Sequence, residues 1–189
     1  MAVVIDRREF QASDLSTGDE VISPYWVAAN PNEEVSVLQI AAYTGPRDYQ
    51  LGYFEQVAGA TDSSQLTLNG VITRSPTDGQ TLLPTGLING IDSEAIAQNT
   101  FDPNGPFSFY IEWLASGNTD FGDPIFQPTD RGASGNSVLP GGDILIRTFP
   151  LIAPDGNAIP DTFLLFQDYA SINFDWNDNV YIVSNIRPA

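Results

Sequence analysis

The feature that most constrains this chain is a series of short apolar, β-branched or aromatic segments separated by Gly, Pro, Asn and Asp, with almost no helical periodicity. Runs of about four to eight such residues between turn residues are typical of β-strands. The predicted strands are Val35–Ala41, Gln50–Glu55, Gln65–Asn69, Phe107–Leu114, Asp143–Phe149, Thr162–Phe166 and Asn179–Ser184, with a weaker first strand within Ile22–Ala29.

Two local features modify this pattern. Gly70 predicts a bulge between Gln65–Asn69 and a further strand segment at Val71–Thr73, because glycine inside a strand often marks one. Ser93–Gln98 is the one helical candidate, about one and a half turns long and too short to be stable alone. The 189 residues fit one domain, 1–189. We therefore predict an all-β, jelly-roll-like β-sandwich with long loops and at most one short helix.

Charge and residue usage exclude several classes of function. The formal net charge is −17 and all seven basic residues are arginine. Nucleic acids and anionic membranes both require a cationic surface, so neither is expected as a partner. Histidine and cysteine are absent, which excludes Ser–His and Cys–His nucleophiles, histidine-ligated metals and disulfides. Carboxylate chemistry and oxygen-ligated metals remain.

The densest set of oxygen ligands lies between the last two predicted strands. Asn173, Asp175 and Asn177 alternate, Asp178 follows directly and Asp168 lies upstream. Calcium takes about six to eight oxygen ligands, which such a loop can supply. An EF-hand is excluded, because its glycine and glutamate positions would hold Asp178 and a serine. The pattern itself leaves two interpretations open: a calcium site, or an Asx-rich turn whose side chains bond the backbone.

The same segment resembles a family signature. Phe166-Gln-Asp168, followed by Asn173-Phe-Asp-Trp-Asn-Asp-Asn-Val-Tyr181, is similar to the terminal motif of DUF4114-like modules, which occur in large bacterial secreted and surface proteins. Further similarity extends over about 35–187. The resemblance implies a β-sandwich whose acidic loop binds calcium. Gln167 departs from the usual acid, which implies weaker metal affinity, and Trp176 replaces the usual tyrosine.

Weaker candidates for ligand contacts lie in other predicted loops. Trp26, Trp113 and Trp176 are candidates for a platform that stacks on sugar rings, although aromatic side chains also dominate ordinary cores and Trp113, inside an alternating strand, favours the core. The Gly- and Asp-rich stretch from Ser116 to Gly142 can supply oxygens to a cation or a sugar, or is a solvated loop. The candidate contact residues are Tyr43, Arg47, Asp48, Tyr49, Asp123, Asp130 and Trp176.

We therefore expect a non-enzymatic module that binds calcium and a glycan or cell-surface polysaccharide, outside the cell or on its surface, as part of a longer chain or assembly. The expected calcium ligands are Asp168, Asn173, Asp175, Asn177 and Asp178. One alternative is a structural spacer, shell or virion component stiffened by calcium. The other is a polysaccharide-active enzyme using Glu112 and a second carboxylate, although a strand glutamate on a polar face is the ordinary explanation.

Overall fold

A computed structural model describes residues 19–43, 49–58, 65–74, 81–83, 85–88, 91–113, 126–128, 146–168 and 178–189. Within these ranges the chain forms 14 β-strands in two sheets, every strand pair is antiparallel, and no α-helix is present. The predicted all-β sandwich is confirmed. The described residues contain no helix long and apolar enough to span a membrane.

The strands are numbered in chain order. In order they are β1 (Trp26–Ala28), β2 (Val35–Ala42), β3 (Tyr49–Glu55), β4 (Asn69–Arg74), β5 (Thr81–Leu82), β6 (Thr85–Ile88), β7 (Ile91–Ile96), β8 (Gln98–Phe101), β9 (Phe107–Trp113), β10 (Phe126–Pro128), β11 (Ile146–Ile152), β12 (Ala158–Gln167), β13 (Asn179–Ser184) and β14 (Ile186–Pro188).

The strands divide between two sheets. Among the described strands, the first sheet has the order β14-β1-β9-β3-β4-β6-β7, with β10 also paired to β9. The second has the order β11-β12-β13-β2-β5, with β8 also paired to β2. The consecutive strands β13 and β14 belong to different sheets. The chain turns this corner at Asn185, whose φ is 65°.

The main core lies between the two sheets. Strand β2 shows the alternation that builds it, since Val35 and Val37 are buried while Ser36 between them is exposed. Val35 and Val37 pack in one cluster with residues of the first sheet such as Trp26 and Phe107. Trp26 is fully buried and meets Phe163 edge-on, with 5.0 Å between ring centroids. An interpretation of Trp26 as part of a sugar-stacking platform is therefore wrong.

A second apolar cluster covers the opposite face of the second sheet. Its buried members include Phe166 of β12 and Val180 of β13, which alternate with Leu165 and Tyr181 of the main core. Strands β12 and β13 are therefore apolar on both faces. This explains why their sequences read as continuous apolar runs rather than as an alternating pattern.

Three local predictions can be compared with the strands observed. The bulge at Gly70 is confirmed: Leu51 pairs with Ile72 and Gly52 with Gly70, which leaves Val71 as the extra residue. The helix predicted at Ser93–Gln98 is wrong, because β7 pairs with β6 there and β8 pairs with β2. The strand segment predicted at Gln65–Asn69 is wrong up to Leu68, since β4 begins only at Asn69, whereas the segment predicted at Val71–Thr73 lies within β4.

Candidate functional site

The candidate metal loop begins where β12 ends and finishes where β13 begins. The last residue pair of this ladder is Gln167 with Asn179. Asp168 and Asp178 occupy the next position on each strand, so they leave the sheet side by side. Asp168 is 0% exposed and Asp178 is 9% exposed. The fold therefore brings together two predicted ligands that are ten positions apart in the sequence, and it buries both.

The backbone carbonyls of these two residues are fixed by neighbouring groups. The N–H of Tyr43, directly after β2, donates to the carbonyl of Asp178 at 2.8 Å. The Nε2 of Gln167 donates to the carbonyl of Asp168. Each end of the loop is therefore tied to the second sheet, one through a main-chain donor and the other through a side-chain amide.

Three buried amide side chains extend from this point across the sheet. Gln39 donates from Nε2 to Oδ1 of Asn179 at 2.8 Å, and Asn179 donates from Nδ2 to Oε1 of Gln167 at 2.5 Å. All three are at most 1% exposed. With the bond from Gln167 to Asp168, they form a chain of hydrogen bonds in one direction, which we call the amide chain. At its far end, Oε1 of Gln39 accepts no hydrogen bond from the described residues.

The amide chain gives Gln167 a definite role. The resemblance placed an acid at this position, and an acid there would add a ligand charge. An ionised carboxylate cannot donate a hydrogen bond, so it could not hold the carbonyl of Asp168 as Gln167 does. Gln167 thus contributes to the geometry of the loop rather than to its charge.

Sequence reasoning missed Gln39 and Asn179. Their hydrogen bond joins residues 140 positions apart, which local patterns do not reveal. One signal was available, because Gln39 is a polar residue on the same face of β2 as the buried Val35 and Val37. Buried polar groups of this kind are normally hydrogen-bonded, so each one indicates a partner elsewhere in the fold.

A different acidic turn in the chain provides a contrast. Asp155 lies in the exposed turn after β11, where its Oδ1 accepts a hydrogen bond from the N–H of Asn157 at 3.0 Å. That backbone hydrogen bond is the main reason why the pKa of Asp155 lies below its ordinary value. This is an Asx-rich turn satisfied by its own backbone and open to water. Asp168 and Asp178 differ because both are buried.

The remaining predicted metal ligands lie outside the described residues. These are Asn173, Asp175 and Asn177, and the neighbouring Trp176 is also outside. Within the described ranges no group of three or more His, Cys, Asp or Glu residues could hold a metal ion. The calcium site therefore remains a prediction, with two of its five expected ligands located.

No family model, curated protein or solved structure matches this chain. The similarity to DUF4114-like modules thus remains a prediction from the terminal motif.

Of the weaker ligand candidates, Tyr43 and Tyr49 lie within the described residues. Tyr43 lies beside Asp178 and packs against the outer apolar cluster. Tyr49 begins β3 in the other sheet, where it pairs with Trp113. Arg47, Asp48, Asp123 and Asp130 lie outside the described residues.

Glu112 is the candidate catalytic acid. It lies in β9, paired with Gln50 of β3 on one side and Phe126 of β10 on the other. The enzyme alternative stays a prediction.

Proposed function

We propose that this chain is a calcium-binding, non-catalytic β-sandwich module that serves carbohydrate binding or adhesion at a cell surface or outside the cell. The observation that carries the calcium proposal is the pair Asp168 and Asp178, buried side by side where the acidic loop leaves the second sheet. Like charges at neighbouring positions on paired strands repel one another, and a cation bound between them removes that repulsion. A divalent ion held by oxygen ligands would do so.

The ion would act mainly by joining two strands. Asp168 follows β12 and Asp178 precedes β13, so an ion between them would close the open end of this strand pair. Asn173, Asp175 and Asn177 would complete its coordination from the loop. Because an ion that binds only the folded state stabilises it by mass action, calcium at about 100 times its Kd would add about 2.7 kcal/mol.

The amide chain supports this proposal by positioning the loop. Gln167 holds the carbonyl of Asp168, and Tyr43 holds that of Asp178, so the ends of the loop are fixed before any ion arrives. A site whose supporting groups are already in place spends less free energy on ordering when it binds.

Calorimetric titration of chelator-treated protein with calcium tests the proposal. Wild type should release or absorb measurable heat, and its melting temperature should rise with calcium. Asp168→Asn and Asp175→Ala should each raise the Kd for calcium at least tenfold. They should also reduce the rise in melting temperature that calcium causes. Asp155→Asn is the matched control, because it removes a carboxylate from a turn that its own backbone satisfies. Negligible heat and no stabilisation of wild type would refute the calcium site.

A further inference from the structure

A groove of about 500 Å³ lies where β8, β2 and β13 run side by side in the second sheet. The register arranges its side chains in two rows across the strands. Ser36 pairs with Thr100 on one side and with Ser184 on the other. Leu38 pairs in the same way with Gln98 and Ile182. The groove therefore has a row of three hydroxyls beside a row made of one amide and two aliphatic side chains.

The chemistry of these rows favours a neutral ligand with many hydroxyls. Hydroxyl and amide groups both donate and accept hydrogen bonds, as sugar hydroxyls do. Leu38 and Ile182 are half-buried, so they offer a small apolar surface to the C–H face of a ring. The lining residues carry no cation. Glu34 borders the groove, where its Oε2 accepts a hydrogen bond from Oγ1 of Thr100 at 2.8 Å. Phosphorylated, sulfated and uronic ligands are therefore disfavoured.

Hydrogen bonds from Asn185 and Asn99 anchor the backbone next to residues that line the groove. Asn185 donates from Nδ2 to the carbonyl of Glu33 at 2.7 Å and to that of Asn30 at 3.0 Å. It also accepts at Oδ1 from the N–H of Asn30 at 2.7 Å. These bonds fix the turn that leads into Glu34. On the other side, Asn99 of β8 donates to the carbonyl of Val71 in the first sheet at 2.8 Å. The volume of the groove lies within the range of small-molecule sites, about 300–1,000 Å³.

We propose that this groove binds a neutral oligosaccharide, with Ser36, Thr100 and Gln98 hydrogen-bonding its hydroxyls and Leu38 and Ile182 packing against a ring face. The inference rests on the proposed carbohydrate-binding function and gives it a location. The groove lies at the far end of β13 from Asp178, about 17 Å along the strand at roughly 3.3–3.4 Å per residue. Calcium would therefore not coordinate this ligand directly, and the two sites can be tested separately.

The test uses immobilised neutral fragments of glucan, mannan, galactan and xylan, with sulfated and uronic fragments beside them. Wild type should retain at least one neutral fragment. Gln98→Ala should weaken that binding at least tenfold, equivalent to about 1.4 kcal/mol, and Ser36→Trp should abolish it by filling the groove. Gln56→Ala is the matched control, since it makes the same change at an exposed position that follows β3 in the other sheet. It should bind as wild type does.

Three results would overturn the groove proposal: no neutral fragment retained by wild type, retention unchanged in Gln98→Ala and Ser36→Trp, or retention of charged fragments alone. Calcium titration of the same variants separates this failure from failure of the calcium site. If Ser36→Trp gives a normal calcium heat but no protein, wild type included, retains a glycan, only the groove proposal is refuted. If wild type gives neither a calcium heat nor glycan retention, both proposals are refuted. Circular dichroism and melting of Ser36→Trp verify that it folds, and Gln98→Ala carries the test if it does not.

Discussion

Asn185 is the residue on which the corner between the two sheets depends. Its φ of 65° is left-handed, a conformation that asparagine tolerates better than most residues. Its side chain bonds the turn at Asn30–Glu34, and its own carbonyl accepts from the N–H of Ala29 at 3.1 Å. One side chain therefore joins the β13–β14 corner to the β1–β2 turn.

Replacing Asn185 should separate its two contributions. Asn185→Ala loses the side-chain hydrogen bonds, about 0.5–1.5 kcal/mol each, and adds the left-handed penalty of about 1–2 kcal/mol. Asn185→Gly loses the bonds alone. Urea unfolding should therefore show both variants destabilised, with alanine about 1 kcal/mol worse than glycine. Equal stability of the two would mean that the backbone at this corner relaxes.

Tyr53 gives a prediction for alkaline pH. Its ring stacks on Phe101 with 4.2 Å between centroids. Burial is the main cause that raises its pKa above the ordinary 10.0, and the negative charges of Glu55 and Asp102 add to the effect. A raised pKa in the folded state favours the neutral phenol. The stabilisation is therefore complete below pH 10 and is lost as pH rises toward the pKa of the folded protein.

Tyr53→Phe should remove this part of the pH dependence. Urea unfolding of wild type and variant between pH 8 and pH 11 should show a constant difference in free energy up to about pH 10. Above that pH the wild type should lose stability faster than the variant, since the other six tyrosines are common to both. Parallel curves throughout would contradict the raised pKa.

At the scale of elements, the β3–β4 pair depends on a glycine that accommodates an aromatic ring. A Cβ added at Gly52 would lie 2.5 Å from both the carbonyl oxygen of Asn69 and the ring of Tyr110. Tyr110 is fully buried, and its hydroxyl oxygen accepts a hydrogen bond from Nε2 of Gln50 at 2.9 Å. The ring therefore cannot move aside without losing this contact.

Gly52→Ala should accordingly destabilise the domain by about 2 kcal/mol or more, as overpacking in a closed space does. Gly105→Ala is the control, since nothing lies within 4 Å of the added Cβ there. It should change the unfolding free energy by less than about 0.5 kcal/mol. Comparable losses in the two variants, measured by denaturant unfolding, would argue against the close contact at Gly52.

Strands that bury their own side chains could be predicted from the sequence, whereas strands made by pairing alone could not. β2, β9 and β13 are apolar runs and were located to within a residue or two. β14 buries Ile186 only and exists because it pairs with β1, at the opposite end of the described chain. At Ser93, hairpin pairing with β6 overrode a weak helical pattern. Asp168 and Asp178 could be identified from their spacing in the sequence. The amide chain could not, because its members come together only when β2, β12 and β13 pair.

For the whole molecule, the net charge of −17 opposes compaction. Raising sodium chloride from 0.01 to 1 M shortens the Debye length from about 30 to 3 Å and should raise the melting temperature. Potassium chloride is the control and should act equally, because screening depends on ionic strength and not on the identity of the ion. A flat or falling melting temperature would mean that the carboxylates repel one another little in the folded state.

The pairing of β1 with β14 brings Trp26 opposite Pro188. The first described strand therefore cannot complete its pairing until the last one has been synthesised. During synthesis at roughly 5–20 residues per second, β1 leaves the ribosome on the order of ten seconds before its partner. Throughout that interval its outer N–H and C=O groups are an open template, on which two nascent chains of one polysome could join. The order of synthesis therefore leaves this strand open to wrong pairing until β14 is made.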